Sequence, residues 1–191
     1  MTLEGDSGPL TAWFSPDPRA VLSWPGMRVS RSLRRSMRRF DITYDLAFDQ
    51  VLEGCADPSR PHGWITPDYL TAYRELFAAG HAHSVEVWRA GEIGGDVVGG
   101  LMGVELGGLF CADSMFRRVT DASKAAVAGL SARIFDETEP NGRRRLIDAQ
   151  WLTGHLASLG FGPAPRDDYL SGLPVLVSRP AAFGAPGSRI R

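Results

Sequence analysis

Three strand-like runs, punctuated by glycines, constrain the fold of this chain more than any other feature. His83–Arg89 reads His-Ser-Val-Glu-Val-Trp-Arg, Asp96–Leu106 is apolar around Gly99-Gly100, and Leu109–Ala112 follows a Gly107-Gly108 turn. The last two runs read as a hairpin, so the three together predict a β-meander. Helix signals flank it on both sides. Ser30 reads as the cap of a helix from Arg31 to about Arg39, and Phe40–Tyr44 alternates as a strand does. Asp45 reads as the cap of a helix through about Cys55, and Thr66-Pro67 as the start of one that stops at Gly80. After the meander come an Ala-rich helix capped at Asp121 or Ser123, a short strand Leu146–Asp148, and a short helix His155–Leu159 ending at Gly160. This order predicts an α+β domain with a mixed, largely antiparallel sheet flanked by helices.

Residues 1–27, rich in Gly, Pro and Trp, read as an irregular N-terminal arm; 28–173 form the main domain; 174–191 read as a flexible Pro/Ala/Gly/Arg tail. A chain of 191 residues with 43% hydrophobic content has enough material for one real core. No apolar run approaches the ~20 residues of a membrane span. The acidic start Met1-Thr-Leu-Glu-Gly-Asp has no signal-peptide core, so cytoplasmic residence is expected. Cys55 and Cys111 are the only cysteines. Neither sits in a CxxC or beside a histidine pair, so buried, inert thiols are expected and no metal.

The net charge of −1 hides strong segregation: Arg28, Arg31, Arg34, Arg35, Arg38 and Arg39 fall in twelve residues without an acid. On a helix, Leu33, Met37 and Phe40 share an apolar stripe, while the arginines form a basic face suited to a phosphate backbone. Arg143-Arg144-Arg145 is a second cluster.

Two segments place carboxylates at the ends of strand-like runs: Phe110-Cys-Ala-Asp113-Ser-Met-Phe116 and Leu146-Ile-Asp148-Ala-Gln150. Such positions hand residues to a site and fit the handling of a cation or an amine. Asp148 and Gln150 are two apart, so on an extended segment they face the same way. The element order is compatible with the acyltransferase (GNAT-like) fold. That fold usually cradles the pyrophosphate of acetyl-CoA in an Arg/Gln-x-x-Gly-x-Gly turn. The turn here, Arg117-Arg-Val-Thr-Asp121, has no glycine, so an acyl donor other than CoA is expected.

From about Trp13 to Leu170 the chain resembles the leucyl/phenylalanyl-tRNA–protein transferase family. The resemblance lies in Trp13-Phe-Ser-Pro-Asp-Pro-Arg-Ala-Val-Leu22, Val29-Ser-Arg-Ser32, Trp64-Ile65, Gly80-His-Ala-His-Ser-Val-Glu-Val-Trp88, Asp113-Ser-Met-Phe116, Ala122-Ser-Lys124, Leu146-Ile-Asp-Ala-Gln150 and His155-Leu-Ala-Ser-Leu-Gly160. Each piece is weak alone; together, in this order, they are specific. The family transfers an apolar amino acid from its tRNA to the N-terminal amine of proteins beginning with Arg or Lys, which marks them for degradation. The ester is already activated, so the resemblance implies no cofactor beyond aminoacyl-tRNA and no metal.

By the same resemblance, Asp148 and Gln150 form the catalytic relay that holds and activates the amine. Asp113, where the family usually has Glu, pairs with the acceptor's cationic side chain, with Ser114 beside it. Phe110, Leu101, Met102, Gly103 and Leu130 surround the aminoacyl side chain, favouring Leu, Phe or Met. Trp64, Tyr73 and Trp13 grip the 3′-terminal adenosine, and Arg34, Arg35, Arg38 and Arg39 bind the acceptor stem. Only a dozen residues precede Trp13, so the arm reads as a shortened form of the family's N-terminal domain. Two alternatives stay open: a small-molecule amine as acceptor, and a non-catalytic tRNA-binding protein.

Overall fold

A computed structural model of the chain describes residues 2–5, 8–11, 14–59, 63–136 and 142–183. Strands β1 (Thr2–Gly5) and β2 (Gly8–Thr11) pair as a separate hairpin. The other described strands form one sheet: β3 (Arg19–Leu22), β4 (Phe40–Tyr44), β5 (Ala82–Arg89), β6 (Gly99–Leu106), β7 (Leu109–Arg117), β8 (Leu146–Asp148) and β9 (Gly162–Ala164). Their order is β4-β5-β6-β7-β8-β3-β9. All neighbours are antiparallel except β7 and β8. The predicted meander is present, and β7 runs five residues past its expected end at Ala112. A parallel pair needs a crossover, which the helix α4 (Ala122–Ile134) supplies.

The helices lie on both faces. Helices α1 (Arg31–Met37) and α4 cover one, and α2 (Phe48–Cys55) and α3 (Pro67–Ala78) the other. The core therefore has two layers, one around Val85, Val87, Leu101, Leu130 and Ile147, the other around Phe48, Leu52, Trp88 and Met102. With both faces covered, Ala82–Trp88 is buried throughout, polar residues included. Burial obliges those polar groups to find partners. Glu86 accepts from Ser84, from Thr43 at 2.6 Å and from the Leu46 amide at 3.3 Å. Alanines let α4 lie close to the sheet, and a Cβ at Gly129 would stand 2.8 Å from Ile42 Cγ2.

Local cues held where they act locally. Ser30 caps α1 by accepting from the Leu33 amide at 3.2 Å, and Pro67 opens α3. Asp45 does not cap α2. It sits in the left-handed region (φ 55°), where its carboxylate accepts from the Ser84 amide at 2.8 Å and meets His83 Nδ1 at 2.7 Å.

Both ends of the chain differ from expectation. The arm contains β3, inserted between β8 and β9 through Val21↔Asp148 and Val21↔Gly162. The segment from Pro174, expected to be flexible, continues helix α6 (Arg166–Val177) with an exposed face and runs to the buried pair Ala182 and Phe183. The helix carries it back to the sheet, where Ala182 and Phe183 are each 4% exposed. Glu105 accepts from the Ala182 and Phe183 amides at 2.6 and 3.1 Å, and Arg145 donates to the Ala181 carbonyl at 3.1 Å. Arg145 of the second basic cluster is thus a buried clamp, and the apolar ring of Phe183 supplies the reason to fold back.

Candidate functional site

Pairing between β7 and β8 ends at Cys111↔Asp148, while β7 continues to Arg117 on β6 alone. Beyond Asp148 the chain parts from β7, with Ala149 and Gln150 still hydrogen-bonded to Ala20 of β3, and the edge of β7 from Ala112 onward opens onto a cavity of about 310 Å³. Asp113, Ser114 and Gln150 stand at its polar end; Leu101, Leu130, Met115, Val127, Leu156 and Phe161 form its apolar part.

The two carboxylates have opposite surroundings. Asp148 is fully buried and does not line the cavity. Its Oδ2 accepts from Arg19 Nε at 3.1 Å, Arg19 Nη2 at 2.5 Å and the Tyr169 hydroxyl at 2.9 Å. Its Oδ1 accepts from the Gln150 amide nitrogen at 2.9 Å. The Arg19 guanidinium also lies 4.5 Å from the centre of the Tyr169 ring. Three donors occupy Oδ2 and the Gln150 amide holds Oδ1, and full burial away from the cavity keeps the carboxylate out of a substrate's reach. Asp148 instead ties β3, α6 and the turn at Gln150 together.

The extended geometry expected for Asp148-Ala149-Gln150 is corrected here. Gln150 has φ 59°, so its side chain diverges from that of Asp148 and enters the cavity. There it meets Asp113 instead. In one amide orientation Gln150 Nε2 donates to Asp113 Oδ1 at 3.3 Å. In the flipped orientation it donates to the carbonyls of Ala112 and Ala149 at 3.3 and 3.2 Å, turning its oxygen away from them. The flip suits a protonated Asp113, which can then offer its own hydrogen. Burial pushes Asp113 up to about 7; the Tyr73 hydroxyl, donating at 3.0 Å, opposes this, and the charge of Asp148 adds to it. Burial also pushes the neighbouring Cys111 thiol up to about 12, which makes it a poor nucleophile.

The remaining expected residues divide. Leu101 and Leu130 line the cavity. Met102 points to the other face of the sheet, among Phe48 and Tyr73, because side chains alternate along β6. Phe110 is fully buried against Phe183, and Gly103 sits at a β-bulge where a Cβ would meet the Cys111 carbonyl. None of these three lines the cavity. Trp64 does, edge-on to Tyr69 and Tyr73 with ring centres 5.2 and 6.2 Å away. Tyr73 is 8% exposed and its hydroxyl is committed to Asp113, so it is not placed for a phosphate. Trp13 lies outside the described residues. Arg34, Arg35, Arg38 and Arg39 are exposed on and just after α1; Arg39 Nη2 donates to Ser36 Oγ at 2.6 Å.

Sequence reasoning missed Arg19, Tyr169 and Met115. Arg19 and Tyr169 lie 129 and 21 residues from Asp148, so no local spacing joins them to it. Among the described residues, no group of three or more His, Cys, Asp or Glu could hold a metal ion. No described helix is long and apolar enough to cross a membrane.

Fold and site define a mixed α+β domain with a carboxyl–amide pair set over an apolar cavity in a strand gap. A family model described as leucyl/phenylalanyl-tRNA protein transferase matches residues 21–174. Relatives named leucyl/phenylalanyl-tRNA–protein transferase from Escherichia coli O139:H28 and Shigella boydii serotype 18 are each 46% identical over 162 residues. These alignments cover 83% of this chain and 65% of the relative, so the chain spans under two thirds of the length of the curated relatives it matches. The chain belongs to the leucyl/phenylalanyl-tRNA protein transferase family. A crystal structure of a conserved protein of unknown function from Bacteroides thetaiotaomicron is 13% identical, with a TM-score of 0.45 over 75% of this chain and 54% of that one.

Proposed function

We propose that the protein is a cytoplasmic aminoacyltransferase that moves Leu, Phe or Met from aminoacyl-tRNA to the N-terminal amine of proteins beginning with Arg or Lys. The observation that carries this reading is the Asp113–Gln150 pair at the polar end of an apolar cavity, in a chain of this family. The antiparallel meander followed by the parallel β7/β8 pair supports a GNAT-like reading of the fold.

The apolar end takes the aminoacyl side chain. Each buried methylene contributes ~0.8 kcal/mol, and no charged group lines that end to receive a polar side chain. Trp64 offers a face for the terminal adenine, a contact worth ~1–3 kcal/mol. The amine nitrogen attacks the ester carbonyl, the carbon–oxygen bond to the ribose breaks, and a peptide bond forms. One proton passes from the amine to the departing ribose oxygen. Gln150 orients the amine, and Asp113, with a pKa of about 7, is matched to carrying that proton at neutral pH. Ionised Asp113 also favours an acceptor with a cationic first side chain. Asp148 acts as a positioning residue, holding the backbone that aims Gln150.

The test is transfer of radiolabelled Leu or Phe from charged tRNA to peptides starting with Arg or Lys and to small amines. Label on the peptide's α-amine is expected. Transfer only to small amines, or none from intact charged tRNA, rules out protein modification.

A further inference from the structure

The largest cavity among those described, about 690 Å³, lies at the other end of β7 and has no part in the chemistry above. It opens where β7 gives way to α4, between the ends of α2 and the helix α5 (Gly154–Leu159). Arg117, Arg118, Lys124 and His155 line it on the basic side, Asp57 and Asp121 on the acidic side. Both acids already have partners, Asp121 within the cavity itself. Asp121 pairs with Lys124 at 2.9 Å, and Asp57 Oδ1 accepts the Ser59 amide at 2.9 Å. The basic groups crowd each other: burial first, then the charges of Lys124 and Arg117, hold His155 below the usual imidazole range. At the back is Ser123, in the first turn of α4. It is 7% exposed and lines the cavity, yet its hydroxyl has no hydrogen-bond partner among the described residues. The Ser123 side chain is largely buried while its hydroxyl faces the cavity, at the positive end of a thirteen-residue helix and beside cations, where it can donate to a bound acceptor.

Two further observations say what that acceptor is. Met115 lines both this cavity and the aminoacyl cavity, so the two adjoin along β7. From Asp113 to Arg117 is four residues of strand, about 13 Å, a span the single-stranded end of a tRNA can bridge. On the other side Asp121 lies within the electrostatic reach of Arg39, so the basic face of α1 leads to the cavity's rim. We propose that this cavity is a phosphodiester subsite, in which Ser123, Lys124 and Arg117 hold a backbone phosphate of the tRNA 3′ end while its terminal adenosine lies near Trp64. This rests on the aminoacyl-tRNA reading above. It gives the Ala122-Ser123-Lys124 motif a role that the transfer chemistry leaves vacant. It also places a phosphate at a helix N-terminus without the glycine-rich cradle that a pyrophosphate needs.

The test compares the ribotrinucleotide cytidylyl-cytidylyl-adenosine, which carries internal phosphates, with adenosine, which carries none. Wild-type protein is expected to bind the trinucleotide more tightly than adenosine by calorimetry, with inorganic phosphate competing for the difference. Ser123→Ala and Lys124→Ala are each expected to weaken trinucleotide binding by roughly tenfold, the scale of one charge-assisted hydrogen bond, and to leave adenosine binding unchanged. Arg117→Ala, at an exposed strand end, repeats the test where folding is not at stake. Equal affinity for trinucleotide and adenosine, no wild-type trinucleotide binding, or unmoved trinucleotide binding in all three variants overturns the subsite. The parent reading fails separately. If no amino acid is transferred while Lys124→Ala still loses trinucleotide affinity, the phosphate site stands and the transferase reading falls. If transfer proceeds and trinucleotide affinity is unmoved, the reverse holds.

Discussion

Asp113 and Asp148 are the same residue type on neighbouring strands, and their surroundings give them different work. Asp148 has an arginine, a phenol and an amide as donors; Asp113 has one phenol and an amide in a half-buried cavity. Asp113 therefore holds its proton up to about 7. Since its folded pKa is raised above the ordinary 3.8, its contribution to stability is fully present below that value and is lost as pH rises through about 7. Asp113→Asn is expected to flatten the urea-derived stability between pH 4 and 8, a change on the order of a few kcal/mol. Equal pH dependence in both proteins would place Asp113 in an ordinary solvated setting. In the transfer assay, the same variant should lose the inflection near 7 and keep the one from the acceptor's α-amine near ~8. Arg19→Ala tests the other carboxylate. It strands a fully buried charge and should cost about 3–5 kcal/mol. Tyr169→Phe, which removes one neutral donor, should cost about 1–3 kcal/mol.

Elements defined by nearby residues were legible in the sequence, and those defined by distant partners were not. Ser30, Thr66-Pro67, Gly107-Gly108 and Gly160 act within a turn of themselves, so α1, α3, the β6/β7 hairpin and the end of α5 stood where expected. Strand β3 is four residues bracketed by prolines, and it is a strand only because β8, some 125 residues later, pairs with it. The site was legible as a set of residues but not as an arrangement, because the left-handed turn at Gln150 carries no glycine to announce it. At the C-terminal end the composition of the segment concealed one decisive residue. The Phe183 ring stacks on His83 at 4.5 Å and meets Tyr44 and Phe110 at 5.9 and 5.5 Å. Phe183→Ala is expected to cost about 3–5 kcal/mol, as for other buried phenylalanines, and to raise proteolysis after α6. Stability within about 0.5 kcal/mol of wild type would return the segment to the status of a tail.

At the scale of the whole molecule, a chain of net charge −1 gathers six of its arginines, Arg28 to Arg39, on and around one helix in twelve residues without an acid. The structure puts that helix, exposed, beside the start of α4, so the basic surface runs from Arg34 and Arg35 through Arg38 and Arg39 to the Asp121–Lys124 ion pair at the cavity's rim. A nucleic acid on this path releases counterions, and the dependence of log K on log salt counts the phosphates neutralised. Replacing Arg34 and Arg35 together by Ala should reduce the magnitude of that slope for whole tRNA by about 1.4–1.8, at ~0.7–0.9 per lost contact. Both side chains are exposed, so urea stability should stay within about 0.5 kcal/mol. Trinucleotide affinity should not move, because neither arginine lines the cavity at α4. A slope unchanged from wild type would mean that the helix faces only solvent, and tRNA must then be gripped elsewhere. A parallel loss of trinucleotide binding would show that the two arginines act by long-range field and not by contact.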